Sequence, residues 1–336
     1  MSFKFILGID ISKPHLDLTL LDDGVKMKYF RISNNPSEIK KCLIDLLADY
    51  QLEPEQMLVV MEFTGTYNDH LIEVLEDLQI PLWQCSSVHI IRSSGIQRGK
   101  NDKIDSFRIA MFAFRNIDRY KPHIPMRKEV KEIKRLFAVR RNLVKAKKQI
   151  QALTMDYDFV SPQAALTEKK SILNSINAID IQINVVEEKI KNRILNDPHL
   201  SRYYIIITSI KGVSFVTAVK ILITTNEFQK FTNPKALACH AGIAPFDHSS
   251  GSSIKKQTKV SSMADKELKS LLHMAALAAI THPGELKDYF DRKLAQGKHK
   301  MNIINNVRNK IVHRIFSCIK NNRIYLKNFN NYLAET

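Results

Sequence analysis

The feature that most constrains this chain is its opening run, FKFILGIDI, residues 3–11. A nearly continuous apolar strand has no solvent face, so it belongs in the middle of a sheet covered on both sides. HLDLTLL (15–21) alternates after a short Lys13–Pro14 turn. Asp22-Asp23-Gly24 is a hairpin signal that returns VKMKYFRI (25–32) alongside it. Pro36 and Ser37 open a helix running to about Asp49. MLVVMEF (57–63) is a second buried strand, Thr66–Leu78 a helix, and IPLWQC (80–85) a short strand.

The resulting order, βββαβαβα, is that of an RNase-H-like α/β domain, in which the first strand is central and the fourth lies beside it. Each of the two most apolar strands ends in a single acid: Asp10 in LGID and Glu62 in VVMEFTGTY. An acid there is costly unless it meets water or a cation. Asp102 and Asp105, in KNDKIDSFRIA, are three apart at a helix start and share a face. The helix dipole alone favours carboxylates in a first turn, so this pair also has a purely structural explanation. Taken together, two strand-end acids and an acidic helix face converge in this topology. Two Mg²⁺ ions ~4 Å apart need such a hard-oxygen cluster and can clamp the attacking and leaving oxygens of a phosphodiester. With no His/Cys set among the four, Mg²⁺ or Mn²⁺ is favoured over zinc. Asp17, after an intervening turn, reads as a solvated strand residue.

From Arg127 the character changes. Residues 127–150 hold ten Lys and Arg against two Glu, within a chain of net charge +17, which suggests a polyanionic partner, nucleic acid ahead of membrane. Apolar positions at Leu136, Val139, Leu143, Ala146, Ile150 and Leu153, then at Ile172, Ile176, Ile179, Ile183, Val186 and Ile190, step by threes and fours. Residues 127–196 therefore read as a long antiparallel coiled-coil linker that also serves oligomerisation. Residues 197–336 read as a mainly α-helical domain. Within it SIKGVSFVTAVKIL (209–222) resembles a helix-hairpin-helix unit, where Gly212 and the following helix start would face a DNA phosphate. A final helix near Asn302–Cys318 carries Arg308 and Arg314, two further cations for nucleic acid. HSSGSSI (248–254), followed by Lys255, Lys256 and Lys259, reads alone as a flexible linker, a phosphate-binding loop, or a nucleophile beside a phosphodiester. The four cysteines, Cys42, Cys85, Cys239 and Cys318, form no CxxC and read as reduced thiols. No window approaches ~18 uninterrupted apolar residues, and the first run is too short for a signal peptide.

In combination these motifs resemble the DEDD transposases of bacterial insertion sequences, a family that also includes the Piv-type DNA invertases. GID, MEFTGTY and KNDKIDSFRIA match at the N-terminus; IKGVSFVTAVKIL, HAGIAPFDHSSGSSIKK and KELKSLLHMAALAA match further on, across almost the whole chain. The resemblance implies a RuvC-like domain (1–126), a coiled-coil connection (127–196) and a transposase domain (197–336) that supplies a serine nucleophile. Asp10, Glu62, Asp102 and Asp105 correspond to the four family acids. The family serine precedes a glycine after an AP pair, which puts it at Ser250 in AGIAPFDHSSG. A serine stands at Ser249, where glutamine or another polar residue is common, and the loop keeps only part of the usual glycine and arginine content. Ser249 thus remains a candidate to substitute or assist, as does His248 two residues before Ser250.

The resemblance further implies a covalent 5′-phosphoserine intermediate, donor and target double-stranded DNA as substrates, and a structured bridge RNA as guide. It implies a tetramer built as a dimer of dimers, acting at the nucleoid in the bacterial cytoplasm. Three other readings stay open: an invertase working without a guide RNA, a metal-dependent RNase-H/RuvC-like nuclease using water, and a non-catalytic nucleic-acid-binding scaffold.

Overall fold

The computed structural model describes residues 3–63, 65–93, 102–153, 162–244, 246–250, 254–259 and 263–326. The chain divides into two compact units, Met1–Pro125 and Met126–Thr336.

In the first unit, β1 (Phe5–Ile11), β2 (His15–Asp22), β3 (Val25–Ser33), β4 (Met57–Glu62) and β5 (Leu82–Cys85) form one sheet in the order β3-β2-β1-β4-β5. The first three strands are an antiparallel meander, and β4 and β5 run parallel to β1. This is the RNase-H-like strand order, and β1 is its central strand, as a run with no polar face requires. Phe5, Leu7, Ile9 and Ile11 pack on one side with α1 (Pro36–Asp49) and α2 (Asp69–Asp77). Asn35 caps α1 by accepting the Glu38 N–H at 2.9 Å, and Pro36 takes the first helical position. Short α3 (Ser87–Ser93) follows β5. On the other side of the sheet, Ile6, Leu58 and Val60 meet Ile109, Ala110 and Ala113 of α4 (Asp102–Arg115).

The second unit opens with α5 (Lys128–Ala152) and α6 (Pro162–Asn196). Their ion pairs, Arg193–Glu132, Arg140–Glu187 at 2.6 Å and Lys147–Asp180 at 2.6 Å, descend α6 as they climb α5, so the helices are antiparallel. The seam keeps part of the spacing reading: Ile183, Val186 and Ile190 are buried, and half-buried Leu136 and Leu143 pack against the core between the helices. Val130, Ile133 and Phe137 face Val186, Ile190 and Ile194, whereas Val139 and Leu153 stay exposed at 47% and 67%. Arg140 and Lys147 continue the Ile133–Phe137 stripe and reach α6 as ion pairs, which turns Val139 outward. Leu200 of α7 (Pro198–Thr208) and Val219 of α8 (Phe215–Thr225) complete this core.

A larger core joins α7 and α8 to α9 (Pro234–His240), α10 (Lys266–Thr281), α11 (Glu285–Ala295) and α12 (Lys300–Lys320). Between α9 and α10 the chain forms a two-stranded antiparallel hairpin, β6 (Phe246–Ser250) with β7 (Ile254–Lys259). Among the described residues no helix is long and apolar enough to cross a membrane, and Cys42, Cys85, Cys239 and Cys318 are free thiols.

Candidate functional site

The acid-bearing face in the first unit is built by β1, β4 and α4. Gly8 is the key to it. A Cβ there would lie 2.4 Å from the Ser106 carbonyl oxygen and 2.5 Å from the Ala110 nitrogen, so only glycine lets the α4 backbone rest directly on β1. Thr19, paired with Gly8 across the β1–β2 ladder, shares a 2.8 Å buried hydrogen bond with Ser106. Alternation puts Asp10 on the same face as Gly8. β1 and β4 pair in parallel through Ile9 and Met61, and Asp10 and Glu62 come next in each strand. Glu62 is in phase with Leu58 and Val60, which pack under α4. Both acids are half-buried, and the Glu62 carbonyl accepts from Asn68 Nδ2 at 3.2 Å.

Asp105 is one turn before Ile109 and belongs to the sheet-facing stripe of α4, and position 102 is one turn before Ser106. Asp105 is 25% exposed and accepts from Arg108 at 2.8 Å; the Asp102 side chain lies outside the described residues. Among the described residues no three His, Cys, Asp or Glu side chains gather at metal-binding spacing. The donor chemistry nonetheless fits a hard divalent cation, since every acid on this face offers only carboxylate oxygen.

Asp17 corrects the sequence reading. It sits opposite Asp10 in the ladder and is only 3% exposed. Tyr29 donates its hydroxyl to Asp17 Oδ1 at 2.5 Å and Arg31 donates Nε at 3.0 Å. The hydrogen bond to Asp17 pushes the Tyr29 hydroxyl above its ordinary pKa. A carboxylate already held by a phenol and a guanidinium is a structural acid, distinct from the strand-end pair.

In the second unit the serine stretch is strand rather than loop. Ser250 pairs with Ile254, Ser249 with Lys255, and His248 with Lys256. In an extended strand positions 248 and 250 are in phase and 249 is out of phase. The side chains of His248, Ser249, Ser250, Lys255, Lys256 and Lys259, and residues 251–253 entirely, lie outside the described residues.

The base of this hairpin is well defined. Ile243 follows α9, and its carbonyl accepts from Asn305 Nδ2 at 2.8 Å. On the return side the Asp265 N–H reaches the His240 carbonyl at 2.9 Å, and Asp265 caps α10 through the Leu268 N–H at 2.9 Å. Lys220 bridges Asp265 at 3.0 Å and Glu267 at 2.9 Å. Burial opposes the charge on Asp265, but the Leu268 N–H and Lys220 hold its carboxyl below the usual carboxylate value. Burial pushes the nearby His240 imidazole down, against the pull of Asp265.

The remaining expected contacts fall in three different settings. Gly212 has φ +89°, and a Cβ there would lie 2.2 Å from the Ala275 carbonyl, so this turn is seated on α10. Arg314 pairs with Glu285 and stacks 4.9 Å from the Tyr325 ring centroid. Arg308 is 6% exposed; its Nη2 donates to His273 Nδ1 at 2.7 Å and its Nη1 approaches Asn305 Oδ1 at 3.5 Å. Sequence reasoning did not find Asn305, His273 or Lys220. Only the lone cation on an otherwise apolar face of α12 hinted at such a polar cluster.

Comparison with known proteins finds two family models in order along the chain. A DEDD family model described as "Transposase" covers residues 7–154, and "Transposase IS116/IS110/IS902 family" covers residues 204–291. The pilin gene-inverting protein of Moraxella bovis is 24% identical over 96% of this chain and 98% of its own length. The transposase for insertion sequence element IS1111A of Coxiella burnetii is 25% identical over 86% of this chain and 80% of its own. Among solved structures, T. thermophilus RuvC in complex with a Holliday junction substrate is 12% identical over 35% of this chain and 99% of that one. Its TM-score is 0.28. With the four acids inside the first match and the serine hairpin inside the second, the chain belongs to the IS110 family of DEDD transposases, which has pilin gene-inverting proteins among its relatives.

Proposed function

We propose that this protein is a site-specific DNA recombinase that cuts and rejoins donor and target DNA through a covalent serine–DNA linkage. One observation carries the reading: two transposase-family matches fall in order on one chain, one spanning the strand-end acids and the other the serine hairpin. Ser250 Oγ attacks the scissile phosphorus, the bond to the 3′-oxygen breaks, and that oxygen leaves as a 3′-hydroxyl. A 5′-phosphoserine ester remains. A 3′-hydroxyl from another strand then attacks the same phosphorus and expels Ser250, so bond energy is conserved and no nucleotide cofactor is consumed.

Asp10, Glu62, Asp102 and Asp105 would hold the divalent cation, Mg²⁺ or Mn²⁺. When bound, such a cation supplies Lewis-acid activation of a hydroxyl nucleophile and neutralises charge building on the phosphate. His248, two residues before Ser250 on β6, would accept or relay the serine proton, and Ser249 is the alternative nucleophile. Lys255, Lys256 and Lys259 on β7 neutralise flanking phosphates, with Gly212 and Arg314 as further contacts. A structured guide RNA and a tetramer of subunits complete the reading, with the nucleoid as the place of action.

Ser250→Ala should abolish the covalent protein–DNA band on denaturing gels while leaving DNA binding intact; an adduct that persists in this variant refutes the assignment. Inversion without a guide RNA is a second reading, favoured by the inverting relative that aligns along nearly the whole chain. Sequencing the RNA that copurifies with the protein separates the two: a discrete species encoded beside the gene supports guidance, and none supports inversion.

A further inference from the structure

Among the described residues Arg308 is a buried cation without a counter-ion. Its guanidinium carries five N–H donors and never deprotonates in practice. Among the described residues no carboxylate pairs with it, and its buried Nε has no hydrogen-bond partner. The contrast within the same unit is direct. Arg127, 39% exposed, is met by Glu227 at 2.6 Å and Asp197 at 2.8 Å. Burying a charge unpaired is among the costliest things a core can hold, and it is tolerated where a ligand completes the pairing.

The neighbours of Arg308 favour an anion as well. His273 Nδ1 can only accept from a guanidinium, so the ring is neutral and carries its proton on Nε2, which makes it a second donor. Burial and the Arg308 charge both push that imidazole down, which keeps it neutral. Arg308 is buried beside His273 and Asn305, both of them only partly buried. Its setting also reaches the hairpin. Asn305 receives Arg308 on its oxygen and gives its amide N–H to the Ile243 carbonyl, and Ile243 leads into β6.

We infer that Arg308, with His273 beside it, seats one backbone phosphate of the DNA strand handled by the serine hairpin. This rests on the recombinase reading for the identity of the anion. The fork of the guanidinium suits the paired oxygens of a phosphodiester, and the Asn305 link transmits occupancy of the seat to the strand bearing Ser250.

The test uses the full chain with Arg308→Met and Arg308→Lys. The Met variant removes an unpaired buried charge, so it should melt at or above the wild-type temperature. Its DNA affinity, followed by fluorescence anisotropy, should lose salt dependence, the log–log slope falling by about 0.9 for one lost phosphate contact. Inorganic phosphate at constant ionic strength should raise the melting temperature of the wild type and of Lys298→Met, a control at an exposed lysine, and should not raise that of Arg308→Met. Arg308→Lys, which keeps the charge and loses the fork, should fall between. If Arg308→Met does not fold, the ring resonances of His273 in the wild type should shift on phosphate titration.

A wild-type slope and phosphate response in Arg308→Met, or an unmoved His273 ring, overturns the inference. Failure of the serine reading looks different: Ser250→Ala would keep the adduct, whereas Arg308→Met loses slope whichever hydroxyl attacks.

Discussion

Gly8→Ala is the change that most directly tests how the acid face is assembled. The new Cβ would stand 2.4 Å from the Ser106 oxygen, 2.5 Å from the Ala110 nitrogen and 2.6 Å from the Ala110 Cβ. Two of those three atoms are backbone, so no rotamer change relieves them. Restoring an ordinary contact of 3.4 Å requires α4 to retreat from β1 by about 1 Å. Overpacking of this kind costs roughly 1–3 kcal/mol, which for a unit of this size lowers the melting temperature by about 4–12 °C. The same retreat lengthens the Thr19–Ser106 hydrogen bond and carries positions 102 and 105 away from Asp10 and Glu62. A misplacement of ~1 Å at a reacting centre costs on the order of a hundredfold in rate. Calorimetry and a Mn²⁺-dependent cleavage assay on the full chain read both effects. Adding Ala110→Gly removes one contact of the three and should restore only part of either loss. A Gly8→Ala protein that melts and cleaves like the wild type would refute the claim that α4 seated on β1 sets the acid geometry.

Two further outcomes concern parts away from the chemistry. Burial opposes the charge on Glu227, but Arg127 and His199 hold its carboxyl below the ordinary 4.5. A depressed folded value means this stability is complete above about pH 4.5 and drains away as pH falls through the folded value, so acid melts of wild type should be flat above and steep below. Arg127→Met should cost roughly 3 kcal/mol at pH 7, the low end for breaking such a pair because Arg127 is 39% exposed. Melting unchanged in that variant would show the pair to be idle. Burial pushes the thiols of Cys42 and Cys85 up to about 11 and about 12, and raises Cys318, so iodoacetamide at pH 8 should leave all three unlabelled by mass spectrometry until the chain unfolds.

The sheet was legible because its strands obey single rules. The apolar run 3–11 became β1, the Asp22–Gly24 signal became the turn before β3, and strand-end acids stood out against Val, Leu and Met. The serine hairpin was not legible as strand, because β6 and β7 spell FDHSS and IKKQTK, with neither apolar alternation nor β-branched density. Along the α5–α6 seam Ile183, Val186, Ile190, Leu136 and Leu143 were legible from spacing, whereas Val139 and Leu153 are exposed, because Arg140 and Lys147 occupy inter-helix positions that spacing rules assign to apolar residues. Glu227 had no signal at all. It sits in three consecutive left-handed residues, Asn226, Glu227 and Phe228, a conformation that propensity does not anticipate outside glycine.

Among the described residues three buried charges break the hydrophobic pattern, and their partners separate them. Asp17 is 3% exposed and satisfied by Tyr29 and Arg31; Glu227 is 3% exposed and satisfied by Arg127 and His199. Each closes its own network, which is how buried polar groups serve structure. Arg308 is as deeply placed, yet among the described residues it meets only a neutral imidazole and one amide oxygen at 3.5 Å. A rule broken and then compensated marks a structural device, whereas a rule broken and left open marks a place where something else has to bind. In a chain of net charge +17 that belongs to a transposase family, the missing counter-ion beside the serine hairpin is most economically a phosphate.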